Sequence, residues 1–376
     1  MRGRRGAGWT PTGRRLWLPR RAPWYNEASR LSARIYFMAV PLRVGIVGAR
    51  GIGKHHAKWF AHAGCEVTAV FGTTAESAAE AARGLSDLMG FSGRAYHDWE
   101  QFRRQGGFEA VSICSLAHAH TANLRDLADD GRQILCEKPL SWSWDWPAER
   151  ILADGREGVA HAKRRGVLLG INAQYPAAVE GFEELHRSVL GREPEYESLC
   201  FVMETRGKQR SAHGSSEAWV DLGPHPLALL DSLAPGSVDW STLRHSEGPG
   251  EAVVDFTWVS GDRRIAIHLE CRRGVQGEIH RKLGNQDLVA DYDGFNENGV
   301  FRARLRGGSG EWSGQDYMQT SIERFIQAVR SGDESRLLVT GEDALRQQEA
   351  LVGVLTRCWP GILPAADGRG NGKENT

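Results

Sequence analysis

Short apolar runs alternate with amphipathic stretches over the first half of the chain. The runs are typical of strands buried on both faces of a parallel sheet: Leu42–Val47, Val67–Phe71, Ala110–Cys114, Ile134–Cys136 and Val167–Ile171. Helical spacing of apolar residues separates them, at Gly53–Ala63, Glu76–Arg83, His120–Asp129 and 147–165. This repeated β-α-β pattern predicts an N-terminal Rossmann-type parallel sheet with helices on both faces.

The pattern changes in the second half. Longer segments there alternate apolar and polar residues, as strands with one covered face do: Glu197–Glu204, Glu251–Val259 and Arg263–Cys271. Helical spacing returns at Ser321–Arg330 and Glu342–Trp359. We therefore expect an α/β protein whose C-terminal part is an α+β domain with a large, mostly antiparallel open sheet.

These patterns divide the chain into four parts. Residues 38–172 are the predicted Rossmann domain, and residues 173–362 are the predicted α+β domain for substrate binding and oligomerisation. Residues 363–376 are polar and glycine-rich, so we expect a disordered tail. Residues 1–37 are rich in arginine but lack the apolar or amphipathic stretch of an export or transit signal. We interpret them as a disordered leader, or as sequence upstream of a start at Met38.

Composition narrows the class of protein. The chain is 41% apolar and 25% charged, and its 47 basic residues balance 47 acidic ones. The balance gives no reason to expect nucleic acid as a partner, and no run of about 18 apolar residues is present to span a membrane. The six cysteines are widely spaced, which fits free thiols in a reducing cytoplasm.

A glycine-rich turn follows the first apolar run and opens a helix. Glycines in this context let backbone N–H groups approach a dinucleotide pyrophosphate at the helix N-terminus. The turn comprises Gly48, Arg50, Gly51, Ile52 and Gly53, with arginine where the fingerprint has its second glycine. Either Gly51 replaces that glycine or Arg50 itself contacts phosphate. The alternative is a tight turn without a ligand.

The second apolar run ends in Gly72, Thr73 and Thr74 rather than in a carboxylate. A carboxylate at this point binds the adenosine ribose of NAD and repels the 2′-phosphate of NADP. Its absence favours NADP over NAD, and the two hydroxyls could bind the phosphate. Alternatively, the threonines simply begin the helix that contains Glu76.

Lys138 stands at the carboxyl end of a predicted parallel strand, the edge where open α/β sheets bind ligands. Pro139 stiffens the turn that directs the lysine. Further along, Gly223-Pro224 predicts a helix start that places His225 in the first turn, with Asp221 nearby. A helix N-terminus disfavours imidazolium, whereas a carboxylate favours it, so this histidine could be neutral and still accept a proton.

Taken together, these motifs resemble the Gfo/Idh/MocA family, named after glucose–fructose oxidoreductase, inositol dehydrogenase and rhizopine catabolism. The resemblance covers roughly residues 42–360. It depends on the turn 48–53 with His55-His56-Ala57, on Ile113-Cys114-Ser115 leading to His120, on Cys136-Glu137-Lys138-Pro139-Leu140, on Asp221 to His225, and on Gly341-Glu342-Asp343-Ala344-Leu345. It implies that Lys138, Asp221 and His225 are catalytic. It also implies cofactor contacts at Ser115, His120, Glu137 and Lys138.

The chain departs from the family pattern in three places. Arg50 replaces a glycine of the turn, Ser215-Ser216-Glu217 replaces the usual glycines in the loop expected before Asp221, and Ala228 replaces an acid after the histidine. The first bears on how the cofactor fits. The other two indicate an unusual substrate pocket, or else lost chemistry.

Substrate contacts are expected at the seam between the domains, from Asn172, Gln174 and Tyr175 as well as from the three catalytic residues. Trp142, Trp144 and Trp146 could stack on a sugar ring, although packing is the simpler interpretation. His118 and His120 lack a third ligand, so no metal site is expected.

The sequence thus predicts an NAD(P)-dependent oxidoreductase that transfers a hydride to or from a secondary alcohol or ketone of a sugar or polyol. One alternative is transient oxidation that drives elimination, isomerisation or glycoside cleavage with the cofactor recycled. Another is a non-catalytic dinucleotide-binding regulator. An uncovered apolar sheet face would favour a homodimer or homotetramer through the C-terminal sheet.

Overall fold

The computed structural model describes residues 40–207 and 213–366, so the predicted leader and most of the predicted tail lie outside the described residues. Every element below belongs to a unit that begins at Leu42. Within these residues, none of the helices has the length and apolar character needed to cross a membrane.

Six parallel strands form the first sheet: β1 (Arg43–Val47), β2 (Glu66–Phe71), β3 (Arg94–Tyr96), β4 (Ala110–Ile113), β5 (Gln133–Glu137) and β6 (Leu169–Asn172). The helices that connect them are α1 (Gly53–His62), α2 (Ala75–Met89), α3 (Trp99–Gln105), α4 (His120–Asp129) and α5 (Ala148–Arg164). The strand order is β3-β2-β1-β4-β5-β6. The order reverses between β1 and β4, where open α/β sheets bind ligands at the carboxyl ends of their strands.

The predicted Rossmann-type sheet is therefore confirmed. Its central strands are apolar because helices cover both faces, and all four residues of β4 are buried. Strand β3 and helix α3 were not predicted, because they are short and each buries a single residue, Tyr96 and Phe102.

The second sheet has eight strands: β7 (Ser198–Thr205), β8 (Ser237–Gly248), β9 (Glu251–Ser260), β10 (Arg263–Arg273), β11 (Arg281–Asn285), β12 (Val289–Glu297), β13 (Val300–Gly307) and β14 (Gly310–Gln315). Five helices accompany it: α6 (Ala178–Leu190), α7 (Ser215–Leu222), α8 (Pro224–Leu233), α9 (Tyr317–Ser331) and α10 (Gly341–Cys358). The strand order is β14-β13-β12-β11-β7-β10-β9-β8, and only β7 and β10 pair in parallel.

The mostly antiparallel open sheet is thus confirmed as well. Its covered face packs against helices in the largest hydrophobic core, to which Phe201, Val254 and Leu269 contribute. The opposite face is charged, which corrects the expectation of an uncovered apolar face. Arg272, for example, pairs there with the carboxylates of Glu204 and Glu251 at 2.9 and 2.8 Å. The homo-oligomer remains a prediction, but an uncovered apolar sheet face no longer supports it.

Several elements of this half were not predicted, namely α6, α7, β8 and β11–β14. The segment before Asp221 was treated as a loop, but Ser215–Leu222 is a helix whose first three residues are buried. Strands β12 to β14 carry charged or polar residues on their open face and few buried residues, so their alternation is weak in the sequence.

Candidate active site

The glycine turn leaves room for a ligand on one side and is closely packed on the other. Gly48 has φ +85°, and a Cβ there would lie 2.7 Å from the carbonyl oxygen of Cys114. A Cβ on Gly53, the first residue of α1, would lie 2.5 Å from the Gly48 oxygen. A Cβ on Gly51 would meet nothing within 4 Å. This turn, with its helix N-terminus, fits a dinucleotide pyrophosphate.

Two neighbouring side chains already have protein partners. The Arg50 guanidinium lies 3.0 Å from the Glu80 carboxylate on α2, and both side chains are largely exposed. Thr74 is the N-cap of α2, with its hydroxyl accepting from the Ser77 N–H at 3.1 Å. Thr74 thus begins the helix, as the alternative interpretation held, while Thr73 is exposed. The choice between NADP and NAD remains open.

His120 links the loop after β4 to the turn that carries Lys138. Its ring nitrogens lie 2.9 Å from the Pro139 carbonyl oxygen and 3.0 Å from that of Ser115. The ring is buried, and burial lowers its pKa. The Ser115 hydroxyl accepts a hydrogen bond from the Asn123 amide at 3.1 Å. The Lys138–Pro139 peptide bond is cis.

Beneath Lys138 lies a buried group that we call the support cluster: His56, Ser112, Glu137 and Asn172. Glu137 Oε1 lies 2.9 Å from His56 Nε2 and accepts from Asn172 Nδ2 at 2.6 Å. Its Oε2 accepts from the backbone N–H of Lys138 at 3.2 Å. His56 Nδ1 contacts the Ser112 hydroxyl at 2.8 Å. Glu137 therefore helps to position the segment that carries Lys138.

The support cluster contains a buried ion pair. Burial opposes charge on His56, but contact with Cys114 and with Glu137 outweighs it and raises the pKa of His56 to about 10. Burial likewise opposes charge on Glu137, but His56 and Lys138 lower its pKa to about 2. Glu137 was predicted to contact the cofactor and Asn172 the substrate, and the structure places both in this buried cluster. No role was predicted for His56.

Asp221 lies between two cations. Lys138 Nζ donates to the Asp221 backbone oxygen at 2.6 Å and to Oδ1 at 3.0 Å, across 83 residues of sequence. Arg273, at the end of β10, donates to Oδ2 at 2.6 Å and lies 3.5 Å from Glu217. Burial raises the pKa of Asp221, yet these two cations bring it below its usual range. Sequence reasoning missed Arg273, because nothing local marks it.

His225 is the second residue of α8, as predicted, and its Nδ1 is buried without a hydrogen-bond partner among the described residues. Burial, and then the charge of Lys138, lower its pKa to about 3, against the opposing effect of Asp221. The ring is therefore neutral at neutral pH. Asp221 bonds to Lys138 and Arg273, and no hydrogen bond joins its carboxylate to His225.

One tyrosine lies against the histidine, and two more tyrosines pack on the first. The ring centroids of Tyr175 and His225 are 5.1 Å apart, and Tyr175 lies 5.7 Å from both Tyr292 and Tyr317. The Tyr317 hydroxyl is buried without a partner in the described part of the chain. Burial raises the pKa of Tyr175 to about 12. We call His225, Tyr175, Tyr292 and Tyr317 the pocket wall.

The remaining predicted site residues lie nearby or in packed positions. Gln174 is half-buried immediately before Tyr175. Trp142 is buried in the large core and Trp146 packs against it, while the Trp144 ring stacks on His213 at 3.9 Å. Among the described residues, no group of three or more His, Cys, Asp or Glu side chains could hold a metal ion.

Comparison with known proteins finds a family match for the N-terminal sheet domain. Residues 42–173 match the model of an oxidoreductase family with an NAD-binding Rossmann fold. An inositol 2-dehydrogenase of Cereibacter sphaeroides is 31% identical over 153 residues, which are 40% of this chain and 42% of that protein. The chain thus aligns with about two fifths of that relative's length. An inositol 2-dehydrogenase of Rhizobium meliloti is 23% identical over 81% of this chain and 93% of its own.

Solved structures share the fold over most of the chain. A UDP-N-acetylglucosamine 3-dehydrogenase from Acidithiobacillus ferrooxidans superposes with a TM-score of 0.64 at 21% identity, covering 85% of this chain and 98% of its own. A scyllo-inositol dehydrogenase from Lactobacillus casei superposes with a TM-score of 0.59 at 11% identity, covering 83% and 95%. Residues 42–173 thus match the Gfo/Idh/MocA family of NAD-binding oxidoreductases, and most of the chain shares the fold of these solved structures.

Proposed function

We propose that this protein transfers a hydride between a nicotinamide dinucleotide and a secondary alcohol or ketone of a sugar, polyol or derivative. One observation carries the proposal. Lys138, Asp221 and a neutral, half-buried His225 lie beside the carboxyl edge of the Rossmann sheet, close to a turn that fits a pyrophosphate. The relatives named inositol 2-dehydrogenase make this substrate class plausible for the present chain.

Lys138 is proposed to hold the reacting oxygen. Two of its three N–H donors go to Asp221, which leaves one for the substrate hydroxyl or carbonyl. Its positive charge stabilises the negative charge that develops on that oxygen. Asp221 is itself held by Arg273, so the ammonium is fixed before a substrate arrives.

His225 is proposed to move the proton. Its neutral imidazole can accept the hydroxyl proton during oxidation and return it during reduction. A pKa near 3 keeps the ring unprotonated at neutral pH, so the accepting nitrogen is available. The dinucleotide, when bound at the 48–53 turn, supplies the carbon that donates or accepts the hydride.

The test is to replace His225 with alanine in the full chain. We expect kcat to fall roughly 10²- to 10⁴-fold, because a general base is lost, while the Kd for the dinucleotide changes little. Titration with NADH and NADPH, followed by energy transfer from protein to nicotinamide, gives the second quantity and also compares the two cofactors. A variant with unchanged kcat would refute the role of His225.

A further inference from the structure

Arg281, the first residue of β11, lies on the covered face of the eight-stranded sheet. Leu283 and Asn285 follow it on the same face and are buried. Lys282 points to the opposite, open face, where its ammonium lies 3.8 Å from the Asp291 carboxylate. Arg281 therefore faces the helices that carry the candidate site, whereas its neighbour in sequence does not.

The sheet register brings Arg281 to the same end as Arg273. Arg281 is paired with Met203 of β7, and Arg273 is paired with Thr205 of β7 on the other side. Both arginines share the covered face, since Met203 and Cys271 on that face are buried. Two guanidinium groups thus lie on the covered face at the same end of the two strands that flank β7.

The two arginines differ in their partners. Arg273 pairs with Asp221 and lies near Glu217. Arg281 is half-buried, and no carboxylate among the described residues forms an ion pair with it. The guanidinium carbon of Arg281 lies 5.9 Å from the centroid of the Tyr292 ring.

That contact connects Arg281 to the pocket wall. Tyr292 lies 5.7 Å from Tyr175, and Tyr175 lies 5.1 Å from His225, in each case between ring centroids. The charge of Arg281 contributes to lowering the pKa of His225 and works against the burial that raises the pKa of Tyr175. Asp316 also acts on these tyrosines, but its carboxylate caps α9 by accepting from the N–H groups of Met318 and Gln319.

We propose that Arg281 binds an oxyanion of the substrate, a carboxylate or a phosphate, so that the substrate is an acidic sugar or polyol derivative. A half-buried guanidinium without a carboxylate partner is poorly satisfied, and its planar donors match such oxyanions. Lys138 then holds the reacting oxygen and Arg281 holds the charged end. The inference rests on the proposed function, because it names the substrate class of that same site.

The test compares acidic and neutral sugars by calorimetric titration of the full chain in the presence of NADH or NADPH. The probes are D-glucuronate, D-glucose 6-phosphate and D-glucose. We expect one acidic probe to bind roughly tenfold to a hundredfold more tightly than D-glucose, in keeping with one charged hydrogen-bonded contact. The acidic probe that is preferred decides between a carboxylate and a phosphate.

Two variants assign the preference to Arg281. Arg281→Gln should abolish the preference for the acidic probe. Arg281→Lys should keep part of this preference, because the positive charge remains while the planar set of guanidinium donors is lost. Lys282→Gln is the matched control and should retain the full preference, since Lys282 lies on the open face. Equal binding of all three sugars by the wild-type chain, or an undiminished preference in folded Arg281→Gln, would overturn the proposal.

Hydride transfer is measured separately, as formation of NADH or NADPH with the same sugars. Anion-dependent binding that requires Arg281, without hydride transfer, would remove the proposed function and keep the anion site. If hydride transfer from D-glucose is as efficient as transfer from both acidic probes, the proposed function stands and the anion site is removed.

Discussion

The two sides of Lys138 differ in how their polar atoms are satisfied. In the support cluster, both Glu137 oxygens and both His56 nitrogens have protein partners, and Asn172 Oδ1 is the one buried atom without a partner among the described side chains there. In the pocket wall, His225 Nδ1 and Tyr317 Oη are both buried, and neither has a hydrogen-bond partner among the described residues.

This contrast separates scaffold from site. Buried polar groups are normally paired, since an unpaired one costs about 1–3 kcal/mol. A cluster whose bonds are internal can hold a lysine in place without a ligand. The pocket wall leaves two buried atoms without such internal bonds. We therefore expect changes in the support cluster to reduce stability, and changes in the pocket wall to affect ligands and pH dependence instead.

The largest effect on stability is expected from Glu137→Gln. This change removes the anion from a buried ion pair, which costs about 3 kcal/mol, the lower end for such a loss, because His56 can give up its proton. Urea unfolding at neutral pH measures the free energy of unfolding. Activity should fall as well, since the Lys138 backbone loses its charged anchor.

Glu109→Gln is the matched control. Glu109 also pairs with a cation, Arg43 at 3.3 Å, but both side chains are nearly half exposed. We expect a loss below about 1 kcal/mol, because water screens such pairs. Equal losses in the two variants would show that the support cluster has no special role.

A smaller effect on stability is expected from His225→Asn, and this effect appears in how stability depends on pH. The pKa of His225 is about 3 in the folded chain and about 6.5 when unfolded, so between these values only the unfolded chain binds the proton. Stability of the wild-type chain therefore falls as pH drops through this window. Between pH 7 and pH 5 this residue accounts for at most about 2 kcal/mol, because the unfolded chain takes up the proton only below a pH of about 6.5.

The difference between the two chains isolates this contribution. Urea unfolding at pH 7 and pH 5 should show a smaller acid loss in His225→Asn than in wild type. Replacing the exposed His118 with asparagine should leave the wild-type difference unchanged. An identical acid loss in His225→Asn and wild type would mean that the folded chain accommodates a charged His225.

The same contrast explains what the sequence could predict. The parallel strands, the glycine turn and Lys138 are encoded locally, as apolar runs, turn residues and a position at a strand end. The partners of Asp221 are not encoded locally, because Lys138 is 83 residues away in the sequence and Arg273 is 52 residues away. Arg281 acquires its environment from the register of β11 against β7, which no local pattern reveals.

Departures from family patterns were harder to interpret. Glu217 appeared as an altered loop residue, yet it is a buried helical carboxylate near Arg273. Arg50 suggested a phosphate contact, and the structure pairs it with Glu80. In both cases the charged partner lies on a distant segment. The sequence therefore shows the substituted residue but not the group that pairs with it.

The smallest effect on stability, and a selective one on ligand binding, is expected from Gly51→Ala. A methyl group there meets no protein atom and φ is not positive, so the free energy of unfolding should change by less than about 0.5 kcal/mol. The same methyl would project into the space in which a pyrophosphate would lie. We expect the Kd for the dinucleotide to rise roughly tenfold, equivalent to about 1.4 kcal/mol.

Gly84→Ala serves as the control, because Gly84 lies within α2 with no atom near its missing Cβ and away from the turn. It should leave the Kd unchanged and slightly stabilise the helix. If Gly51→Ala binds the dinucleotide as tightly as wild type, the pyrophosphate does not approach Gly51. The phosphate contact would then have to come from other backbone amides of the turn.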